Sequence, residues 1–376
     1  MGKTKVIEFI TTLSTGGAEQ LVKEYSALLD KDKFDVTVLV IWRRENTQNE
    51  KALLNAGIRI VYISDYLPKG EDKITRVFRK INRKKFVYDF LKQQSPDIIH
   101  AHLAVTEYLV NVPLKKWNIK VLYTCHNVLA DTFNTKASIE NAKKLIKKAD
   151  MKIIALHSDM AKEINELFGI HDCMVLNNGI DFKEFSKDDS VRERTREMLG
   201  LNQDTFVVGH VGRFTKQKNQ IFLVKIFEKI LKKKKAHLLM IGAGDDVSII
   251  KNYIAEHNFE NYVTILSNRS DIPELMNAMD VFVFPSVFEG FGIVLVEAQA
   301  VGLRCVVSQA ISKYACLSPL VNVLNLSDSE EKWISHILGE EWELTPFKGI
   351  EEFDIYNVVR ELEKIYEDMV SGKNSL

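Results

Sequence analysis

Residues 281–302 read VFVFPSVFEGFGIVLVEAQAVG. An apolar run of strand length meets a Pro-Ser turn, then a Gly-bracketed loop, then an apolar run of helical length. This is a strand, a turn and a helix in immediate succession, half of a βαβ unit. Two carboxylates, Glu289 and Glu297, sit eight positions apart within it. On a helix, Ile293 and Val301 lie one turn to either side of Glu297 on its own face. An ionised carboxylate without partners is costly in such a setting. Hydroxyl donors from a ligand would satisfy Glu297, and a structural hydrogen bond to backbone is the alternative.

The same pattern extends through the chain. Strands are expected at VIEFI (6–10), DVTVLVIW (35–42), RIVYI (59–63), DIIHA (97–101), KVLYTC (120–125) and KIIAL (152–156). A second series follows at FVVGHVG (206–212), HLLMIG (237–242), YVTIL (262–266), VFVFP (281–285) and RCVVS (304–308). Helical segments intervene, among them 18–29 and 107–117. Short apolar strands alternating with helices predict α/β architecture with parallel sheets covered on both faces. A charged stretch without strand character, 182–204, separates the series. At 376 residues the chain exceeds one ordinary core, so two Rossmann-like domains are expected. Their bounds are 1–185 and 186–355. An amphipathic helix at 356–370, within a tail of about 356–376, caps either half or crosses back to the first.

The formal net charge is zero, which argues against a nucleic-acid binder. Residues 1–185 hold 29 Lys and Arg against 23 Asp and Glu, whereas the remainder holds 22 against 28. The first half is therefore the one suited to an anionic surface. Cys125, Cys173, Cys305 and Cys316 show no CxxC or metal-ligand spacing and read as reduced thiols. The start, MGKTKVIEFI, reads as a first strand and not as a signal peptide, and Val6 stands where myristoylation wants Ser or Thr. No apolar stretch reaches spanning length.

Five constellations carry chemistry. STGGAEQLV (14–22) places Gly16 and Gly17 before a helix, where backbone N–H groups and the helix dipole suit an anion, or where a tight turn simply needs small residues. HVGRFTKQKNQ (210–220) repeats that device and adds Arg213 and Lys218, a natural diphosphate grip. GAGDDV (242–247) begins like a dinucleotide fingerprint but has Val247 in place of the third Gly. The third constellation is the opening stretch, with Glu289, Glu297 and the N–H groups of Gly290, Phe291 and Gly292. In the fourth, HAH (100–102) and TCHN (124–127) stand at strand ends, where parallel sheets bind ligands. His100 and His102 have metal-like i, i+2 spacing without a third ligand, and read as structural; His126 is the better substrate contact. Fifth, KITRVFRKINRKKF (73–86) carries Lys73, Arg76, Arg79, Lys80, Arg83, Lys84 and Lys85 with no acid. Apolar residues recur at helical spacing, so it suits an anionic membrane or forms a half-buried helix with a solvated face.

Together these motifs resemble the retaining glycosyltransferases of the GT-B fold, family 4 (group 1). The resemblance runs from STGGAEQ through NNGID (177–181), GRFTKQKN (212–219) and the segment 270–302, whose Glu-x7-Glu pair is its most specific element. SQAISKYACLS (308–318) stands where the family often has GG-x-x-E, which resembles the exopolysaccharide and capsule-building subgroup. Lys218-Asn219 replaces the usual Lys-Gly, and Gly302-Leu303-Arg304 the usual Gly-x-Pro; neither touches an implied contact.

The resemblance implies two domains facing across a cleft and a nucleotide sugar, UDP- or GDP-linked, as donor. Arg213 and Lys218 would grip its diphosphate, with Gly16 and Gly17 approaching from the other domain. Glu289, with Gly290, Phe291 and Gly292, would hold the transferred sugar. Glu297 would take the ribose hydroxyls, His126 would line the sugar pocket and Arg269 would border the base. No metal or other cofactor is expected, and Asp30-Lys31-Asp32 is read as a polar turn. The implied acceptor is a saccharide, lipid-linked or free, with no nucleic-acid partner, and the implied location is the cytoplasmic face of a cell membrane, met through residues 73–86. Rival readings are a nucleotide-sugar epimerase of the same fold and a non-catalytic partner of another transferase.

Overall fold

The structure is a computed structural model that describes residues 2–14, 16–44, 47–68, 73–339 and 350–372, apart from the side chains of 73–77, 350 and 351. The chain forms two compact units, residues 1–179 with 355–376, and residues 180–354.

The first unit has strands β1 (Thr4–Ile10), β2 (Phe34–Val40), β3 (Arg59–Tyr62), β4 (Ile98–His102), β5 (Lys120–Thr124), β6 (Lys152–Ala155) and β7 (Met174–Val175). They form one parallel sheet in the order β3-β2-β1-β4-β5-β6-β7. Strand order reverses between β1 and β4, and the register sets Glu8 beside His100 across that pair. Apolar residues fill both faces, as expected for strands covered on each side by helices.

The second unit has β8 (Phe206–Val211), β9 (Ala236–Ile241), β10 (Val263–Leu266), β11 (Val281–Phe284), β12 (Arg304–Ser308) and β13 (Val321–Leu324). Its sheet is also parallel, ordered β10-β9-β8-β11-β12-β13, with the reversal between β8 and β11. Both units are Rossmann-like, the architecture of the GT-B fold.

Three elements differ from the sequence reading. Residues 107–117 are a short 3-10 turn, Thr106–Tyr108, followed by further turns rather than a helix. Pro113 lacks the N–H a helix needs there and steers Val112 away from helical backbone. Strands β7 and β13 are additions, of two and four residues, too short to announce themselves. The closing helix Ile355–Ser371 packs into the first unit, where Ile355, Val358, Val359, Leu362 and Tyr366 share a core with Leu21, Val22 and Tyr25.

The charged stretch 182–204 belongs to the second unit and contains the helix Asp189–Met198, capped by Asp188. Its Arg196 is wholly buried. Arg196 donates to the carbonyls of Ala278, Gln203 and Thr205 and, at 2.7 Å, to Asp280 Oδ2. Arg192 takes the other carboxylate oxygen at 2.5 Å, and the Val207 N–H also donates to Asp280. One carboxylate thus ties this helix to the amino ends of β8 and β11. Removing one partner of a buried pair leaves an uncompensated charge. Asp280→Ala is expected to destabilise the second unit by about 3 kcal/mol, read as a lower thermal unfolding midpoint; an unchanged midpoint would contradict this role.

Candidate functional site

At a reversal of strand order, the loops on the two neighbouring strands leave toward opposite faces and open a crevice at the carboxyl edge. In the second unit those loops are 212–219 after β8 and 285–292 after β11. They are laced together. The Val287 N–H donates to the Gln217 carbonyl at 2.7 Å, Gln217 Nε2 to the Phe288 carbonyl at 3.0 Å, and Asn219 Nδ2 to the Pro285 carbonyl at 3.2 Å.

Lys218 and Glu289 meet at this seam, with Nζ 2.6 Å from Oε1, and Lys218 also lies 4.8 Å from the centre of the Phe284 ring. Both are largely buried. The two residues that the resemblance assigns to different parts of one ligand are therefore each other's partners here. Arg213 is exposed and makes no ion pair among the described residues. Its backbone is what the fold holds: Gln220 Nε2 donates to the Arg213 carbonyl at 2.8 Å and reaches His210 Nε2 at 3.1 Å. His210 Nδ1 lies 2.9 Å from the Val283 carbonyl, an acceptor, so Nδ1 carries the proton. Burial pushes this imidazole down to about 4, which keeps it neutral. Neither His210 nor Gln220 was singled out from the sequence, because polar residues at strand and helix ends are common.

Two glycines with positive φ shape these loops. Gly242 has φ +150°, and a Cβ there would lie 2.0 Å from the Gly212 carbonyl oxygen. The incomplete GAG fingerprint therefore serves close packing against the Arg213 loop. Gly292 has φ +86° and begins the helix Ile293–Ala300. Glu289 is buried beside it, Gly290 is half-buried, and Phe291 stacks on Phe353 at 5.7 Å. Glu297 emerges half-buried one turn after Ile293, with Val301 buried beyond it. Arg269 forms a two-pronged pair with Asp271, 2.6 Å from Nε to Oδ1, so a base-bordering role would start from an engaged side chain.

In the first unit, Gly16 is extended (φ −174°), a conformation open to any residue, and Gly17 starts the helix Gly17–Leu28. Glu19, in that helix's first turn, accepts from Thr12 Oγ1 at 3.0 Å and Ser14 Oγ at 3.3 Å. The carboxylate thus organises the loop that carries the glycines.

His126 belongs to a buried network that the sequence reading missed. His102 Nδ1 lies 2.9 Å from His126 Nε2, and His102 Nε2 lies 2.7 Å from Glu8 Oε2. Tyr366, from the closing helix, donates to Glu8 Oε1 at 2.8 Å; His100 joins Tyr366 to Thr124, each at 2.7 Å. The signal was Glu8, a lone carboxylate inside the strand run VIEFI. Its presence corrects the view that His100 and His102 lack a third group of ligand type: donor atoms of Glu8, His100 and His102 lie within 4.8 Å of one another. All four ring nitrogens already have hydrogen-bond partners.

Burial would raise the Glu8 pKa, but His100 and His102 outweigh it and hold the carboxyl well below its ordinary range. Burial, reinforced by His100, pushes His102 down to about 4, and burial holds His126 well below 6.5. From pH 6.5 down to about 4 the unfolded chain therefore binds protons that folded His102 and His126 refuse. Below about 4.5 the unfolded chain also protonates Glu8. All three effects lower stability as pH falls. The thermal midpoint is expected to decline from pH 7 to pH 4, beginning near pH 6.5, and His126→Gln should flatten the upper part of that decline. A midpoint constant to pH 5 would contradict it.

In the helix Lys73–Gln94, the side chains of Lys73 and Arg76 lie outside the described residues. Arg83 packs over Trp42 at 4.4 Å and donates to the Tyr108 hydroxyl at 3.2 Å; Lys84 lies 3.5 Å from Glu107. Lys80, Lys85, Phe78, Ile81 and Tyr88 are exposed. Among the described residues no helix is long and apolar enough to cross a membrane.

The family model described as Glycosyltransferase Family 4 matches residues 15–184, and that described as Glycosyl transferases group 1 matches residues 191–315. The chain is 27% identical over 353 residues to the putative glycosyltransferase EpsF of Bacillus subtilis, covering 89% of this chain and 86% of that one. It is 30% identical over 234 residues to an Escherichia coli UDP-Gal:alpha-D-GlcNAc-diphosphoundecaprenol alpha-1,3-galactosyltransferase, covering 59% of this chain and 60% of that one. Among solved structures, Anabaena Alr3699/HepE in complex with UDP and glucose aligns with a TM-score of 0.75 at 18% identity, over 97% of this chain and all of that one. With a family 4 domain followed by a group 1 domain, each on a Rossmann-like unit, the chain belongs to the family 4, group 1 glycosyltransferases.

Proposed function

We propose that this chain is a retaining glycosyltransferase that moves a sugar from a nucleoside diphosphate sugar to a lipid-linked saccharide in bacterial surface polysaccharide synthesis. The observation that carries the reading is the lacing of loops 212–219 and 285–292, which brings Lys218 and Glu289 together at the strand-order reversal of the second unit. The named donor and acceptor of the Escherichia coli relative, and the UDP and glucose of the Anabaena structure, support the ligand class.

Cleaving the anomeric carbon–oxygen bond leaves added negative charge on the diphosphate. Arg213 and Lys218 meet that charge, together with the start of the helix Gln220–Leu231. These cations do the work a metal ion does in other transferases. Lys218 then exchanges its carboxylate partner for phosphate, and Glu289 exchanges its ammonium partner for sugar hydroxyls. Gly290, Phe291 and Gly292 hold the same sugar, Glu297 takes the ribose hydroxyls, and Arg269 borders the base. On the first unit, Gly16 and Gly17 approach an anion and His126 contacts a sugar. Attack from the face that the diphosphate leaves, with a phosphate oxygen taking the acceptor's proton, accounts for retention without an enzymic nucleophile.

Membrane attachment is assigned to the exposed face of the helix Lys73–Gln94, where Phe78 and Ile81 stand beside Lys80 and Lys85. Apolar side chains enter the interface and lysines meet anionic headgroups. Arg83 and Lys84 contribute less, since both are engaged within the chain.

Incubation with UDP- and GDP-sugars and lipid-linked acceptors should yield a product that keeps the donor's anomeric configuration. Failure of every pair would undo the proposal, and an altered sugar released without acceptor would replace it with an epimerase. Arg213→Ala and Glu297→Ala are each expected to reduce kcat/KM by about 100-fold; full activity in either would remove that residue from the site. Cosedimentation with phosphatidylglycerol vesicles should weaken in a Lys80→Gln/Lys85→Gln variant and persist in Arg83→Gln. Equal binding by the lysine variant would remove this face from the account.

A further inference from the structure

His126 stands at the outer end of a run of hydrogen bonds whose inner end is the Glu8 carboxylate. The direction of each bond follows from the proton inventory. An ionised carboxylate only accepts. Tyr366 gives its one hydroxyl proton to Glu8 Oε1, so His100 Nδ1, 2.7 Å from the tyrosine oxygen, is a donor there. Glu8 Oε2 likewise requires a proton on His102 Nε2, 2.7 Å away.

His102 is fully buried, and burial keeps its ring neutral near pH 7. A neutral imidazole has one N–H, so with Nε2 protonated its Nδ1 is a bare acceptor. His126 Nε2 lies 2.9 Å from that lone pair. Two facing lone pairs would repel, so the proton lies on His126 Nε2. His126 Nδ1 is then an acceptor, and the hydrogen bond that His126 makes to His102 leaves this nitrogen unused. The order is passed through β1, β4 and the turn after β5. It is buttressed by Tyr25 against His100 and by Tyr366 from the closing helix.

We infer that Glu8 is a positioning residue that sets the polarity of His126, so that His126 Nδ1 accepts a hydrogen bond from a ligand hydroxyl. This selects a chemical class. An alcohol has a proton to offer, whereas a diphosphate or carboxylate oxygen at neutral pH does not, and a neutral ring supplies no cation for it. The inference rests on the transferase reading, in which His126 contacts a sugar; it adds which nitrogen does so and in which direction. Replacing Glu8 by Gln removes the constraint at its origin, because an amide can donate as well as accept.

Two-bond 1H–15N correlation spectra of the full chain labelled with 15N-histidine test this at pH 7. Signals of His126 are identified by their loss in His126→Gln. The expected spectrum has a protonated Nε2 and an unprotonated Nδ1 at His126; a protonated Nδ1 or a doubly protonated ring would overturn the inference. In Glu8→Gln the His126 tautomers should mix or reverse, with kcat/KM falling roughly ten-fold, the worth of one hydrogen bond. An unchanged tautomer in folded Glu8→Gln would deny Glu8 the role, and if that variant fails to fold the wild-type spectrum decides. Wild-type protein with the expected tautomer but no transfer activity with any donor would sink the transferase reading and leave the polarity standing.

Discussion

In a parallel sheet every strand delivers its carboxyl end to the same edge, and a crevice opens there only where strand order reverses. That constraint selects β1 beside β4 in the first unit and β8 beside β11 in the second. The residues with chemistry gather at those two places. Arg213, Lys218 and Glu289 follow β8 and β11, while Gly16 follows β1 and His102 ends β4. The loops of the second unit are held by backbone and amide hydrogen bonds, so its charged side chains are positioned by the main chain.

The molecule buries charge in three ways, and the differences mark structure from site. Arg196 and Asp280 are satisfied by carbonyls, an N–H and each other, which makes them an internal anchor. Glu8 is satisfied by Tyr366 and His102, but its bonds continue outward to His126 at the carboxyl edge. Lys218 and Glu289 satisfy one another at the rim of a crevice. Breaking such a pair is costly unless each member gains a new partner. A ligand that brings an anion to the ammonium and hydroxyls to the carboxylate meets that condition.

Strands of the two sheets were legible because a buried parallel strand is a short unbroken apolar run, and eleven such runs stand between turn signals. Segment 107–117 misled because its apolar residues keep helical spacing across Pro113, where a helix cannot continue. The two-residue β7 offers no pattern at all. The two laced loops of the second unit were legible as GRFTKQKN and FEGFG, because the residues of each candidate motif are neighbours in the chain. His102 and Glu8 were not, since their partners lie 94 positions apart. The basic segment showed its charge but not which charges are engaged by Trp42, Tyr108 and Glu107.

From sequence alone came the α/β class, the two sheets, the transferase resemblance and the Gly-bracketed carboxylate Glu289. These depend on apolar runs and motifs whose members are close in the chain. Tertiary structure decided that Glu289 is held by Lys218, that the closing helix sends Tyr366 into the first unit, and that Glu8 governs the histidines. Each of these joins residues brought together by sheet order and packing, and hydrogen-bond direction exists only once donor and acceptor face one another.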